Sequence, residues 1–231
     1  MLRRVFKKFE KLLFRGKIIY DFWSKKKWQL KYEFQNLLST PSLSELIKMP
    51  HRKYLVELIA NEKKIESLLE FGCGYGPNLI LLRKELGNRV KLSGCDISMK
   101  LINENKRREE KRGDKINYFF GDLNWLKNQK KDIFEYVFLD SVSMYLGPKE
   151  IKNLFKGLHK ITRKKIILTA WQKETDDGKI FFWESESEWI YDYNLICHKL
   201  FKVKIKKFPN YIWTDERWKK YGIILHLEPK V

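Results

Sequence analysis

The sequence predicts a doubly wound α/β fold with a mostly parallel seven-stranded sheet, its last strand antiparallel. Three observations carry this. Short apolar runs alternate with helix-period segments from about residue 66 to 170, and such alternation builds a parallel sheet with helices on both faces. The first run ends in Gly72-Cys73-Gly74-Tyr75-Gly76 just ahead of a helical pattern. Beyond residue 200, two strand-like runs follow one another with no helix-period segment between them, which closes the sheet with an antiparallel pair.

Taken in order, residues 2–15 alternate apolar and basic positions at helical spacing. They read as a basic amphipathic helix that either packs on the domain or lies on an anionic surface. Residues 18–37 continue with Trp23, Trp28, Tyr32 and Phe34 among lysines. Ser42 with Glu45 forms a capping-box pattern, and that helix stops before Met49-Pro50. A second helix runs from about His51 to Asn61. Residues 1–60 are thus a basic helical extension and 61–231 the main domain.

Within the domain, strands are expected at 66–71, 90–95, 116–120, 134–139 and 165–169. Helices are expected at about 77–87, 98–112 and 148–160, with Gly87 and Gly113 as stops and Pro148 in a first turn. Phe201, Val203 and Ile205 alternate with lysines as in a half-exposed strand. Residues 209–220 read as an aromatic loop and 221–227 as the final strand.

The bulk numbers narrow the class. At 231 residues with 43% hydrophobic and 15% aromatic content, the chain can build a sizeable core. No apolar run approaches the roughly 20 residues of a membrane span, and no secretory signal is evident. Cys73, Cys95 and Cys197 are scattered, as expected of reduced thiols in a cytoplasmic protein. The net charge of +19 favours an anionic partner, RNA or a membrane surface. The lysines are spread over every segment, which equally suits a solvated surface. The four histidines are isolated, so no metal-ligand spacing is present.

The glycine turn carries the chemistry. Glycines permit positive φ and let a ligand approach the backbone, and the helix that follows presents free N–H groups. A dinucleotide fingerprint needs a third glycine where Pro77 stands, and a P-loop needs a lysine after the turn. What remains is Glu70-x-Gly72-x-Gly74-x-Gly76. Asp96 follows the second strand and Asp122 the third, and ligands of open α/β sheets bind outside strand carboxyl ends. Together these resemble the class I S-adenosylmethionine-dependent methyltransferases over roughly residues 50–170.

The resemblance implies S-adenosyl-L-methionine as cofactor. It implies Glu70, Gly72, Gly74, Gly76 and Asn78 at the amino-acid end, Asp96 and Ile97 at the ribose, and Asp122 and Leu123 at the adenine. Asp140 ends the fourth strand, where the family's sulfonium and acceptor meet. The base-amine signature Asn/Asp-Pro-Pro-aromatic is absent, since the chain reads Asp140-Ser141-Val142-Ser143. Tyr145 stands where many small-molecule members carry a histidine. Asp140 is therefore the first candidate for a general base, with His51 and His159 behind it.

Residues 213–224 are similar to the ends of some small-molecule and polysaccharide-associated methyltransferases. Trp171, Phe182, Trp183, Trp213 and Trp218 are candidates to wall an acceptor pocket. The function expected is methyl transfer to oxygen of a small molecule or glycan precursor, in the cytoplasm or at the membrane periphery. An RNA methyltransferase and a non-catalytic cofactor-binding protein are the alternatives.

Overall fold

The computed structural model describes residues 41–62, 64–174, 181–183 and 188–230. The amphipathic pattern at 2–15, the aromatic stretch at 18–37 and the loop start at Ser39-Thr40 lie outside the described residues. Of the helical extension, two helices are described. Helix α1 (Leu43–Ile47) begins with the expected capping box: Ser42 N donates to Glu45 Oε2 at 2.6 Å, and Ser42 Oγ accepts from Glu45 N at 3.3 Å. Helix α2 (Pro50–Ala60) starts on its proline, with Met49 extended as a residue before proline must be.

Seven strands form one sheet in the order β3-β2-β1-β4-β5-β9-β8. Strands β1 (Ser67–Phe71), β2 (Lys91–Asp96), β3 (Ile116–Phe120), β4 (Phe134–Asp140) and β5 (Thr162–Trp171) pair in parallel. Strand β9 (Gly222–Pro229) runs antiparallel to β5 and to β8 (Phe201–Lys207). Helices α3 (Pro77–Leu86), α4 (Met99–Arg112) and α6 (Pro148–Ile161) fall where the periodicity places them. Gly113 ends α4 with φ +64°, a left-handed position that suits glycine.

Three short helices were not expected from the sequence. They are α5 (Leu123–Asn128), α7 (Tyr193–Cys197) and α8 (Glu216–Tyr221). Helix α8 occupies what reads as loop, so β8 and β9 are antiparallel yet do have a helix between them. A two-stranded hairpin of β6 (Phe181–Trp183) and β7 (Glu188–Ile190) stands apart from the main sheet.

Strand periodicity divides the core into two layers. Leu69, Val137, Leu139, Ile166 and Leu168 meet Ile151, Leu154, Phe155 and Leu158 of α6 on one face. Leu68, Tyr136, Phe138 and Ile167 meet Leu55 and Ile59 of α2 and Leu79 and Leu82 of α3 on the other. Sandwiching the sheet in this way brings the carboxyl ends of β1–β4 to a common edge, and the loops leaving them surround one cavity.

Candidate functional site

At that edge lies a cavity of about 280 Å³. Its lining includes Glu70, Gly72 and Gly74 from the β1 turn, Asp96 and Ile97 after β2, and Asp122 and Leu123 after β3. Asp140 ends β4, Ser141, Val142, Tyr145 and Leu146 follow it, Glu150 comes from the first turn of the helix at Pro148–Ile161, and Leu46 and Arg52 come from α1 and α2. The acids expected at consecutive strand ends therefore share one hollow. Gly76 and Asn78 do not line it, contrary to their expected contact with a ligand: Asn78 is fully buried behind the wall.

Gly72, Gly74 and Gly76 have φ of +81°, +54° and +72°, so the turn uses the left-handed region at every second residue. Gly72 N and Cys73 N both donate to Cys95 O, at 2.8 and 2.9 Å. Gly74 N donates to Asp96 Oδ2 at 2.9 Å, while Ser98 N donates to Asp96 Oδ1 at 2.9 Å. From the outer side, Asn105 Nδ2 donates to Gly74 O at 2.8 Å and Arg108 Nη2 to Tyr75 O at 2.6 Å. Asn105 is fully buried. Its signal in the sequence was a polar residue on the same α4 face as Leu101 and Ile102, one turn on.

Glu70 is 1% exposed, and Asn78 Nδ2 donates to its Oε1 at 2.7 Å. Its Oε2 is buried with no hydrogen-bond partner. Burial pushes its carboxyl up to about 8, against the Asn78 hydrogen bond that works the other way. A buried acceptor without a donor is costly. Its place on the cavity wall fits a ligand that brings a cationic donor. Burial also raises Asp96, opposed by the N–H groups of Ser98, Gly74 and Ile97. Asp122 Oδ1 caps α5 by accepting from Asn124 N and Trp125 N, each at 2.9 Å.

Asp140 departs from expectation. Burial alone would raise its carboxyl. The Arg52 guanidinium beside it, the nearby His51 ring and a hydrogen bond from Thr169 hold it well below the usual carboxylate range. Arg52 Nη1 lies 2.7 Å from Asp140 Oδ2, Thr169 Oγ1 donates to Oδ1 at 2.8 Å and Asn78 Nδ2 to Oδ2 at 3.2 Å. A carboxylate stabilised to this degree is a poor proton acceptor, which argues against the general-base role expected of it. His51 Nε2 sits 3.6 Å from Asp140 Oδ2, but His51 is buried and does not line the cavity. His159 is remote, bonded through Nε2 to Lys230 O at 3.0 Å.

The expected aromatic wall is elsewhere. Trp213 stacks on His51 at 4.3 Å and on Trp218 at 4.4 Å, and Trp171 meets Trp218 edge-on at 5.7 Å. None of the three lines the cavity. Trp213 and Trp218 pack on the core layer that contains α2, and Trp171 packs with Met144 and Ile190. Phe182 and Trp183 belong to β6, whose side chains lie outside the described set. Among the described residues no group of His, Cys, Asp and Glu could hold a metal ion, and no helix is long and apolar enough to cross a membrane.

Residues 68–165 match a family model described as a methyltransferase domain. Over that stretch, less than half of the chain, it is similar to methyltransferase domains. Solved structures agree on the fold of this chain. Magnesium protoporphyrin IX methyltransferase of Synechocystis PCC 6803, crystallised with S-adenosylhomocysteine, is 14% identical with a TM-score of 0.63; the match covers 90% of this chain and 100% of that one. A SAM-dependent methyltransferase from Aquifex aeolicus is 18% identical with a TM-score of 0.58, over 83% of this chain and 100% of its own. The glycopeptide N-methyltransferase MtfA, complexed with S-adenosylmethionine, is 13% identical with a TM-score of 0.59, over 77% and 87%. No curated protein sequence matches this chain.

Proposed function

We propose that the cavity seats S-adenosylmethionine and that the enzyme methylates an oxygen atom of a small molecule. The observation that carries the cofactor placement is the unpartnered Oε2 of buried Glu70 on the wall that Asp96 and Asp122 also line. When bound, the cofactor supplies a methyl group activated on a sulfonium. Glu70 receives its ammonium, Asp96 its ribose hydroxyls, and Asp122 with the Leu123 backbone its adenine edge. Gly72 and Gly74 leave room for close approach where side chains would intrude. The residues of this chain thereby fix one end of an in-line displacement, which depends chiefly on alignment and approach.

The segment after β4 and helices α1 and α2 form the acceptor side. Because Asp140 is held as a carboxylate by Arg52, His51 and Thr169, we assign it to fixing geometry rather than to taking a proton. An acceptor that arrives ionised, a carboxylate or an acidic hydroxyl, suits such a site best. The sequence Asp140-Ser141-Val142-Ser143 supports this over base-amine methylation. Trp171, Trp213 and Trp218 lie away from the cavity, which removes the support those three gave to a sugar acceptor.

The test is label transfer from methyl-labelled S-adenosylmethionine to a panel of carboxylic acids, phenols, simple alcohols, amines and RNA, read by mass spectrometry. Label on acidic oxygen acceptors is expected. Label confined to amines or RNA would refute the acceptor assignment while leaving the cofactor site standing.

A further inference from the structure

A second cavity, of about 650 Å³, shares no lining residue with the one at the strand ends. Its size falls within the roughly 300–1,000 Å³ of small-molecule sites. Tyr136 of β4 and His226 of β9 line it from the sheet, Leu58 and Glu62 from α2, and Lys206 from β8.

His226 is the unexplained group on this wall. It is 8% exposed, and its Nε2 is buried with no hydrogen-bond partner. Buried polar atoms are normally satisfied. Strand register shows why this one is not. His226 stands opposite Ile167 of β5 on one side and Lys204 of β8 on the other. Residues paired across strands share a face, and alternation puts Lys202 and Lys206 on that same face. Lys202, Lys204 and Lys206 are exposed, and among the described residues Lys204 and Lys206 make no ion pair.

The other charges near the ring largely cancel. Lys165 of β5 donates to both carboxylate oxygens of Glu62, at 2.9 and 2.8 Å. Glu228 stands opposite Lys202, and Glu57 faces Lys53 at 3.9 Å. The ammoniums of Lys204 and Lys206 are left over beside the imidazole. Burial, then Lys206 and Lys165, with Lys204 last, push the ring down to about 4, and Glu62 opposes them. At neutral pH the ring is therefore uncharged and carries one N–H. The protein supplies two free cations and a buried imidazole nitrogen, but no anion to join them.

We infer that this cavity binds a phosphate group, with Lys204 and Lys206 as its counter-charges and His226 Nε2 as a hydrogen-bond donor to one of its oxygens. A divalent oxyanion matches two unpaired ammoniums, where a carboxylate brings a single charge. Lysine serves phosphate as a compact point charge. The source is either free phosphate or the phosphate of a small organic ester whose body rests on Leu58 and Tyr136.

The test follows the His226 ring by nuclear magnetic resonance in the full chain with nitrogen-labelled histidine. Inorganic phosphate, phenyl phosphate and acetate are titrated in turn at constant ionic strength, near neutral pH. The His226 signal should move saturably with both phosphates and stay still with acetate. A tighter phenyl phosphate identifies an organic ester as the ligand, and equal affinities identify free phosphate. In saturating phosphate, the ring should titrate above its empty value of about 4, because an adjacent anion favours the charged form. Lys206→Gln and Lys204→Gln should each weaken phosphate by about tenfold. Both replace exposed side chains and should melt with wild type, which certifies their folding. A signal that never saturates, that answers acetate equally, or that ignores both substitutions would overturn the site. The assay contains no cofactor, so its outcome is independent of the placement proposed above.

Discussion

Binding of the cofactor should expel a proton from Glu70. In the empty cavity burial holds this carboxyl at about 8. At pH 7 it is then about nine-tenths protonated, since a pKa one unit above the pH leaves roughly one molecule in ten ionised. An ammonium placed against Oε2 favours the carboxylate and drives the proton off. Between pH 6 and 7.5, below the titration of the ligand's own amine, affinity for S-adenosylhomocysteine should rise about tenfold per pH unit, some 30-fold or ~2 kcal/mol across the window. Calorimetry at pH 7 in buffers of different ionisation enthalpy should report release of about 0.9 proton per site. Glu70→Gln keeps an acceptor for Asn78 and should abolish both the release and the slope. A flat wild-type profile, or a slope that survives in the variant, would refute the placement of the ammonium.

Further predictions follow from the same network. Glu70 is raised above its unfolded value of 4.5, so the stability it lends the empty protein is present at low pH and fades as pH rises through about 8. Thermal melts should therefore show Glu70→Gln level with wild type near pH 4 and ahead of it near pH 9; a variant that trails at pH 9 would contradict this. Asp140 is lowered, so the stability it contributes is present above about pH 4 and is lost as pH falls further. Asp140→Asn should cost ~1.5–3 kcal/mol in denaturant unfolding at neutral pH by taking its charged partner from the part-buried Arg52, and the Arg52→Gln, Asp140→Asn pair should cost less than the sum of the two. A side chain at Gly72 would meet the methyls of Val142 from a backbone at φ +81°, so Gly72→Val should abolish S-adenosylhomocysteine binding in a folded protein, judged by calorimetry beside circular dichroism. Asp96→Ala should weaken the same ligand by ~1–3 kcal/mol and loosen the Gly74 amide that Asp96 holds.

Much of this architecture was legible because it rests on local signals. Period-2 and period-3.6 patterns, the Ser42 capping box and the prolines at 50, 77 and 148 placed the long elements, and their alternation dictated the parallel sheet. The acids at 70, 96 and 122 were legible because a doubly wound sheet brings strand ends to one edge. The short helices α5, α7 and α8 were missed, yet each begins on an aspartate cap, Asp122, Asp192 and Asp215. Five or six residues are too few for a periodic pattern, so the cap was the signal available.

What the sequence could not give was contact across the fold. Arg52 reaches Asp140 over 88 positions, and nothing near either residue announces the other. That single pairing turns Asp140 from a candidate base into a fixed carboxylate. Asn78, placed by motif position at the ligand, instead bridges Glu70 to Asp140 from behind. Trp171, Trp213 and Trp218, expected around an acceptor, found one another and His51 instead, because large aromatic faces gain more from mutual burial than from lining an open hollow.

The central claim is that three acids at neighbouring strand ends hold one nucleoside cofactor. A crystal structure of the full chain grown with S-adenosylhomocysteine tests it most directly. The account predicts the ribose hydroxyls on Asp96, the ammonium on Glu70 Oε2 and the adenine beside Asp122 and Leu123. Density for the ligand at any other place on the surface, or in this cavity with its ribose turned away from Asp96, would contradict it.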